Sequence, residues 1–252
     1  MPTVVLMGTT QEIWSDEPTT VPSLRAVLFD MDGTLVETEQ YWGEAMFELA
    51  RTLGGRMSET ARAETVGSSM RRSMTILHAD LGLVRTEEQL QSDARWVEDR
   101  AAQLMSAGIS WCPGARELLA AVRAAGLRTA LVTTTPRRLA EIVLRTIRAD
   151  LHGDPFDVTV CGDEVPARKP DPAPYRQAMT ALGVAPGECV VVEDSVAGIT
   201  AGLASGAAVL GVPAVQEVAP APGLTLRDGL LGVGPPELAA VLADRDLDDV
   251  RV

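Results

Sequence analysis

The sequence contains very little lysine and histidine, few aromatic residues and no long hydrophobic run. One of its 22 basic residues is a lysine, Lys169, and its 35 acidic residues leave a net charge of -13. A chain this acidic repels nucleic acids and anionic membrane surfaces. The apolar run at residues 4–7 is far too short for a signal peptide or a membrane span. We therefore expect a cytoplasmic protein that binds neither nucleic acid nor membrane.

Cysteine is also scarce. Cys112, Cys161 and Cys189 are an odd number and include no C-x-x-C pair, which argues against both a disulfide framework and a structural zinc site. The 252 residues are 46% hydrophobic and 23% charged, a composition that excludes disorder as the dominant state. The length fits either two domains or one domain with a large insertion.

Five short apolar runs, each ending on polar residues or glycine, predict buried strands at residues 26–29, 129–132, 158–161, 190–192 and 207–210. Amphipathic helical periods separate the later runs. This alternation predicts an α/β protein with a Rossmann-like, doubly wound parallel sheet. Ligands of such sheets bind beyond the carboxyl ends of the strands.

The first two predicted strands are unusually far apart. Asp30 and Thr133, which follow them, are separated by 103 positions, whereas a βαβ unit takes about 30 residues. The intervening segment carries helical periods and almost no strand signal. We therefore predict a flexible N-terminal extension at residues 1–23, a Rossmann-like core at 24–37 and 112–252, and an inserted helical cap domain at 38–111.

Acidic residues follow two of the predicted strands. In Asp30-Met31-Asp32-Gly33-Thr34, a glycine turn allows the two acids to reach one pocket as a nucleophile and an acid/base. A bare D-x-D pattern fits a strand-to-turn junction equally well. Asp194, after the fourth strand, is placed to share a hard cation such as Mg²⁺ with Asp30, and Glu193 is a further candidate ligand.

Two other residues offer contacts to phosphate. Thr133 supplies a hydroxyl at the end of the second strand, although strand-end threonines are common. Lys169 stands between an arginine and Pro170 in a chain that otherwise uses arginine, which favours a specific role over surface decoration. A compact ammonium group suits simultaneous contact with a phosphate oxygen and a carboxylate.

Together these four motifs, in this order, resemble those of the haloacid dehalogenase superfamily. The resemblance covers residues 25–213 and is strongest to the branch with a helical cap after the first strand, which includes sugar-phosphate phosphatases, phosphoglycolate phosphatase and β-phosphoglucomutase. It implies a Mg²⁺-dependent hydrolase acting on a small phosphorylated, sugar-like metabolite.

The resemblance also implies roles for individual residues. Asp30 is expected to form an aspartyl-phosphate, and Asp32 to protonate the leaving oxygen and then activate water. The metal ligands are expected to be Asp30, Asp194 and the Asp32 backbone, with Glu193 as a ligand or neighbour. Thr133 and Lys169 are expected to hold the phosphoryl oxygens.

The substrate contacts are predicted less sharply. Gly67 resembles part of the cap loop that reaches the active site, and Arg71, Arg72 and Thr134 are further candidates for substrate binding. Arginines on the solvent face of a helix explain Arg71 and Arg72 equally well.

Three functions remain open at this point: a phosphatase, a phosphomutase and a non-catalytic protein that binds phosphorylated ligands. The mutase relative has a histidine where this chain has Trp42, which favours hydrolysis. Asp32 disfavours the dehalogenase branch, which lacks this second acid, and the cap has no lysine for the Schiff base of a phosphonate-cleaving relative. Both a monomer and a homodimer fit the sequence.

Overall fold

The structure is a computed structural model that describes residues 23–66, 68–213 and 217–249. Gly67 lies outside the described residues, and so does almost all of the predicted extension at residues 1–23.

The described residues form one six-stranded parallel sheet with the strand order β3-β2-β1-β4-β5-β6. This sheet and its helices confirm the predicted fold class. The strands are β1 (Ala26–Phe29), β2 (Arg128–Val132), β3 (Val158–Val160), β4 (Cys189–Glu193), β5 (Ala208–Gly211) and β6 (Leu224–Leu226).

Four of the five helices between β1 and β2 form the helical insertion. They are α1 (Glu39–Thr52), α2 (Glu59–Thr65), α3 (Met70–Asp80) and α4 (Glu87–Met105). Side-chain oxygens of Ser58, Ser69 and Thr86 each accept a hydrogen bond from a backbone N–H group in the first turn of α2, α3 and α4, which explains where these helices begin.

The insertion leaves and rejoins the core at adjacent positions. Val36 and Trp111 form an antiparallel bridge, and the Cys112 amide donates to the Leu35 carbonyl at 2.9 Å. These residues lie close to the predicted boundaries at 37/38 and 111/112, which remain a prediction.

Five helices follow the insertion: α5 (Ala115–Ala124), α6 (Arg137–Asp150), α7 (Ala173–Leu182), α8 (Val196–Ser205) and α9 (Pro235–Asp249). They cover both faces of the sheet. Val27 and Phe29 of β1 pack in the apolar cluster that includes α5, α6 and α9, whereas Ala26 and Leu28 face the cluster that includes α7 and α8. A strand buried on both faces loses the apolar-polar alternation, which is why β1 is uniformly hydrophobic.

The sixth strand was not predicted. Leu224–Leu226 pairs only with β5 at the edge of the sheet and is partly exposed, so it lacks the continuous apolar run of the central strands. Among the described residues, no helix is both long and apolar enough to cross a membrane.

Candidate active site

A cleft of about 320 Å³ lies between the carboxyl ends of the central strands and the inserted helices. Asp30 follows β1, Thr133 follows β2 and Asp194 follows β4. These three strands are neighbours in the sheet, so the topology brings residues from distant parts of the sequence to one edge. Asp30, Asp32, Lys169 and Asp194 all line this cleft.

Lys169 lies at the centre of a charged network. Its Nζ donates to Asp30 Oδ1 at 2.5 Å, to Glu193 Oε1 at 2.6 Å and to the Val132 carbonyl at 2.8 Å. These three acceptors match the three N–H bonds of an ammonium group. The Lys169 side chain is 3% exposed, so its contacts are made almost without water.

The network strongly perturbs its acids and bases. Burial raises the pKa of Asp30 well above its ordinary value, and Glu193 adds to the rise, while Lys169 opposes it. Burial works against the charge of Lys169, but Asp30 and Glu193 outweigh it and raise the pKa of the ammonium group. Burial and Glu193 raise the pKa of Asp194 to about 7. The site thus concentrates negative charge around a single buried cation.

Glu193 is fully buried, and both of its carboxylate oxygens are occupied. Oε1 accepts from Lys169 and from the Tyr175 hydroxyl at 2.8 Å, and Oε2 accepts from the backbone amides of Asp194 and Ser195 and from the Ser195 hydroxyl. A Cβ at position 198 would collide with this carboxylate, so Gly198 of α8 provides the space for it. Glu193 therefore positions Lys169, which fits the neighbour role of the two alternatives that the sequence left open.

Three carboxylates are close enough to share a cation. One oxygen each from Asp30, Glu193 and Asp194 lies within 4.8 Å of the others. Asp194 Oδ1 accepts from Thr34 at 3.0 Å, and a Cβ at Gly33 would collide with Asp194 Oδ2, so Gly33 keeps this oxygen accessible to the cleft. Oxygen donors of this kind suit Mg²⁺. Because the oxygens of Glu193 are already occupied, Asp30 and Asp194 are the better side-chain ligands.

Three threonines hold the second acid. Thr38 donates to Asp32 Oδ1 at 2.5 Å, while Thr133 and Thr135 donate to Oδ2 at 3.2 and 2.7 Å. Thr133 also accepts from the Thr135 amide at 3.0 Å. The Thr133 hydroxyl thus contacts Asp32 in this structure, whereas the family resemblance implied a contact with the phosphoryl group.

The predicted substrate contacts are not all brought together. Thr134 lines the cleft and is exposed to it. Arg71 lies on the outer side of α3, where its guanidinium pairs with Glu87 and is 67% exposed, and Arg72 is also exposed outside the cleft. The N-terminal turn of α3 directs these arginines towards solvent, so their predicted role receives no support from the geometry. Trp42 lines the cleft from α1.

An ion pair on the cap side of the cleft is not evident from the sequence. Arg62 Nη2 donates to Glu39 Oε1 at 2.5 Å and to the Glu39 carbonyl at 2.9 Å, and Nη1 donates to Thr65 at 2.9 Å. Burial raises the pKa of Glu39, although Arg62 opposes this. Both residues resemble ordinary solvated charges of a helix in the sequence, so only the packing of α1 against α2 reveals them.

Tyr175, Thr38 and Thr135 were missed for a similar reason. Tyr175 is one of only two tyrosines and follows Lys169 by six residues, which is a weak sequence signal. In the structure its ring centroid lies 4.9 Å from Lys169 Nζ, and the ring is fully buried. The two threonines stand beside predicted elements, where hydroxyl residues are common.

The profile of the haloacid dehalogenase-like hydrolases matches residues 24–206. The chain belongs to this hydrolase family. The predicted family resemblance is thereby confirmed, and the matched region of this hydrolase contains Asp30, Asp32, Thr133, Lys169 and Asp194.

Two curated relatives of this hydrolase are phosphatases. A phosphorylated carbohydrates phosphatase of Thermotoga maritima is 34% identical over 183 residues, covering 73% of this chain and 82% of the relative. Hexitol phosphatase B of Escherichia coli is 33% identical over 195 residues, covering 76% and 84%. The crystal structure of CbbY from Rhodobacter sphaeroides in complex with phosphate has a TM-score of 0.73 and 30% identity, covering 85% of this chain and 99% of CbbY.

Proposed function

We propose that this hydrolase is a Mg²⁺-dependent phosphatase that cleaves a small, sugar-like phosphomonoester through an aspartyl-phosphate on Asp30. The observation that carries the proposal is the buried contact of Lys169 with Asp30, in a cleft that also contains Asp32 and Asp194. The phosphatase names of the relatives support the reaction class.

Charge is the main obstacle to this reaction, because a carboxylate repels a phosphate dianion. Lys169 lies against Asp30 and is oriented by Glu193 and Tyr175, so its positive charge is fixed before the substrate enters. A preorganised charge in a water-poor site stabilises the transition state far more than one in bulk water. A Mg²⁺ ion held by Asp30 and Asp194 would supply further positive charge.

Two displacements complete the reaction. Asp30 attacks phosphorus, and the bond to the alcohol oxygen breaks as the carboxyl group of Asp32 gives that oxygen a proton. Asp32 then accepts a proton from water, which attacks phosphorus and releases inorganic phosphate with restoration of Asp30. Thr38, Thr133 and Thr135 hold the Asp32 carboxyl group ready for both proton transfers.

Hydrolysis of p-nitrophenyl phosphate tests this proposal. We expect turnover that requires Mg²⁺, stops on addition of a chelator, and falls by at least about 10⁴-fold in Asp30→Asn, because the covalent route is then removed. Asp163→Asn is the matched control, since Asp163 is exposed, is not among the residues that line the cleft, and accepts from the Arg137 amide through an oxygen that asparagine retains. Activity retained by Asp30→Asn would refute the assignment of the nucleophile.

Phosphomutase activity is the second candidate, because this reaction uses the same aspartyl-phosphate. Incubation with a hexose 1-phosphate and a bisphosphate primer distinguishes the two by phosphorus NMR. We expect free phosphate and no 6-phosphate, since Trp42, which lines the cleft, stands where the family resemblance places the mutase histidine. Accumulation of the 6-phosphate would favour the mutase.

We also propose that the enzyme acts in the cytoplasm. Cys112, Cys161 and Cys189 are buried free thiols in the structure. Burial raises the pKa of Cys161 and of Cys189 to about 12, which keeps both thiols protonated and unreactive.

A further inference from the structure

Arg168 lines the cleft from the loop that follows β3, one residue before Lys169. Its Nε donates to the Gly162 carbonyl at 2.7 Å, which holds the guanidinium beside the end of β3. A Cβ at position 162 would collide with the Thr134 carbonyl, so Gly162 lets this loop pass directly against the loop that follows β2. Lys169 reaches towards β1, whereas Arg168 is fixed on the β3 side of the cleft.

The positive charge of Arg168 is not neutralised by the protein. Three cations line the cleft: Arg62, Arg168 and Lys169. Arg62 pairs with Glu39, and Lys169 pairs with Asp30. Among the described residues, no carboxylate forms an ion pair with Arg168, and only its Nε makes a hydrogen bond. Because the side chain is exposed, Nη1 and Nη2 are available to a ligand.

The free end of this guanidinium suits a carboxylate. Its two terminal nitrogens form a planar fork that matches two carboxylate oxygens. A mobile surface arginine gains little from an ion pair, but Arg168 is already held at Nε, so it loses less conformational freedom when it binds. One positive charge balances one carboxylate, whereas a phosphate dianion would keep an uncompensated charge in a cleft that Glu37 and Glu98 also line.

The sheet gives the separation between this guanidinium and the reacting phosphate. Asp30 follows β1 and Gly162 follows β3, with β2 between these two strands. Neighbouring strands lie about 4.8 Å apart, so Asp30 and Gly162 are separated by about 10 Å across the sheet. A hydrogen bond of about 3 Å to Arg168 leaves about 7 Å between phosphorus and the carboxylate. An extended chain advances roughly 1.2 Å per bond, so this separation corresponds to a backbone of about five carbons.

We propose that Arg168 binds a carboxylate of the substrate, so that the enzyme prefers a phosphorylated sugar acid of about five carbons to the corresponding sugar alcohol phosphate. This inference rests on the proposed phosphatase function and names its substrate class. Arg168 is a specificity-determining residue, because its bond to Gly162 holds it to the side of the reacting phosphorus.

A matched pair of probes tests the charge of the substrate. The probes 5-phosphoarabinonate and arabinitol 5-phosphate have the same carbon chain and differ at C1, which is a carboxylate in the first and an alcohol in the second. Each is measured as a competitor of p-nitrophenyl phosphate hydrolysis by the full chain with Mg²⁺. We expect the inhibition constant of 5-phosphoarabinonate to be lower by about fivefold or more, because a charge-assisted hydrogen bond forms to a fixed donor.

Substitution of Arg168 tests which residue reads this charge. Arg168→Gln removes the cation, so we expect the preference for 5-phosphoarabinonate to fall to about twofold or less. Arg145→Gln is the matched control, since Arg145 is exposed on α6 and is not among the residues that line the cleft. The preference of this control is expected to equal that of the unmodified enzyme.

A shorter probe tests the separation. The carboxylate of 2-phosphoglycolate is too close to its phosphate to reach Arg168 while the phosphate lies against Asp30. We therefore expect Arg168→Gln to weaken 5-phosphoarabinonate by about fivefold or more and 2-phosphoglycolate by about twofold or less. Equal weakening of the two would overturn the assigned distance.

Equal inhibition by 5-phosphoarabinonate and arabinitol 5-phosphate would overturn the inference while leaving the phosphatase function intact. Tighter binding of arabinitol 1,5-bisphosphate than of 5-phosphoarabinonate would overturn the choice of a carboxylate. An unchanged preference in a folded Arg168→Gln variant would overturn the role of Arg168, and if that variant does not fold, the preference of the unmodified enzyme decides. Absence of any p-nitrophenyl phosphate hydrolysis would overturn the phosphatase function and this inference with it.

Discussion

Replacement of Lys169 by arginine tests whether the site needs a compact charge or merely a positive one. The chain uses arginine at 21 of its 22 basic positions, so arginine is otherwise its preferred cation. Lys169 Nζ contacts three acceptors within 2.8 Å, in a space that leaves the side chain 3% exposed. A planar guanidinium cannot place one nitrogen at the centre of these three oxygens.

The expected loss follows from these contacts. Overfilling a packed site costs about 1–3 kcal/mol of stability. Displacement of one preorganised donor from a transition state typically costs about 10²–10³-fold in kcat. We expect Lys169→Arg to fold with reduced stability and to lose at least about 100-fold in kcat/KM, even though the net charge is unchanged. Lys169→Met is expected to lose more, because it leaves Asp30 and Glu193 without their shared cation.

The assay combines urea unfolding with steady-state hydrolysis of p-nitrophenyl phosphate. Arg145→Lys is the control, since it exchanges the same two residue types at an exposed position of α6. Its kcat/KM is expected to stay within about twofold of the unmodified enzyme, as for most surface substitutions. A folded Lys169→Arg enzyme with more than half of the original kcat/KM would refute the argument that the geometry of the ammonium group is required.

Three further predictions concern other parts of the molecule. Asp32→Asn is expected to slow turnover by about 10²–10⁴-fold, the usual contribution of a general acid/base, and a burst of p-nitrophenol without steady release of phosphate would identify the slow second step. Gly198→Ala is expected to lower both the melting temperature and kcat, because its Cβ displaces the Glu193 carboxylate; unchanged values would contradict this. Burial lowers the pKa of His78 below its ordinary value of 6.5, although Asp93 acts in the opposite direction. As the pH falls, the His78 imidazole of the unfolded chain therefore binds a proton before that of the folded protein does. The contribution of His78 to the free energy of unfolding is fully present above pH 6.5 and is lost as the pH falls towards the folded pKa. His78→Gln should reduce this loss between about pH 8 and 5.5 in thermal unfolding.

The sequence was most informative where one strand end determines the position of one side chain. Asp30 and Thr133 each follow a continuous apolar run, and a parallel sheet places the ends of such runs at one edge. Lys169 was identifiable because lysine is unique in this chain. These predictions required the order of the elements but no knowledge of side-chain packing. The edge strand β6 was not predicted, because it is short and half-exposed and its sequence therefore resembles a loop.

Side-chain contacts between helices could not be predicted from the sequence. Arg62 and Arg71 both lie on inserted helices and look alike in sequence, yet Arg62 lines the cleft and Arg71 pairs with Glu87 outside it. The difference depends on the rotation of α2 and α3 about their axes, which is set by packing against α1 and α4. The role of Glu193 depends on Gly198 in the next helix, because only a residue without Cβ leaves room for the carboxylate. An acid at a strand end is therefore predictable from the sequence, whereas its use as a ligand or as the partner of a lysine is decided by the helix that covers it.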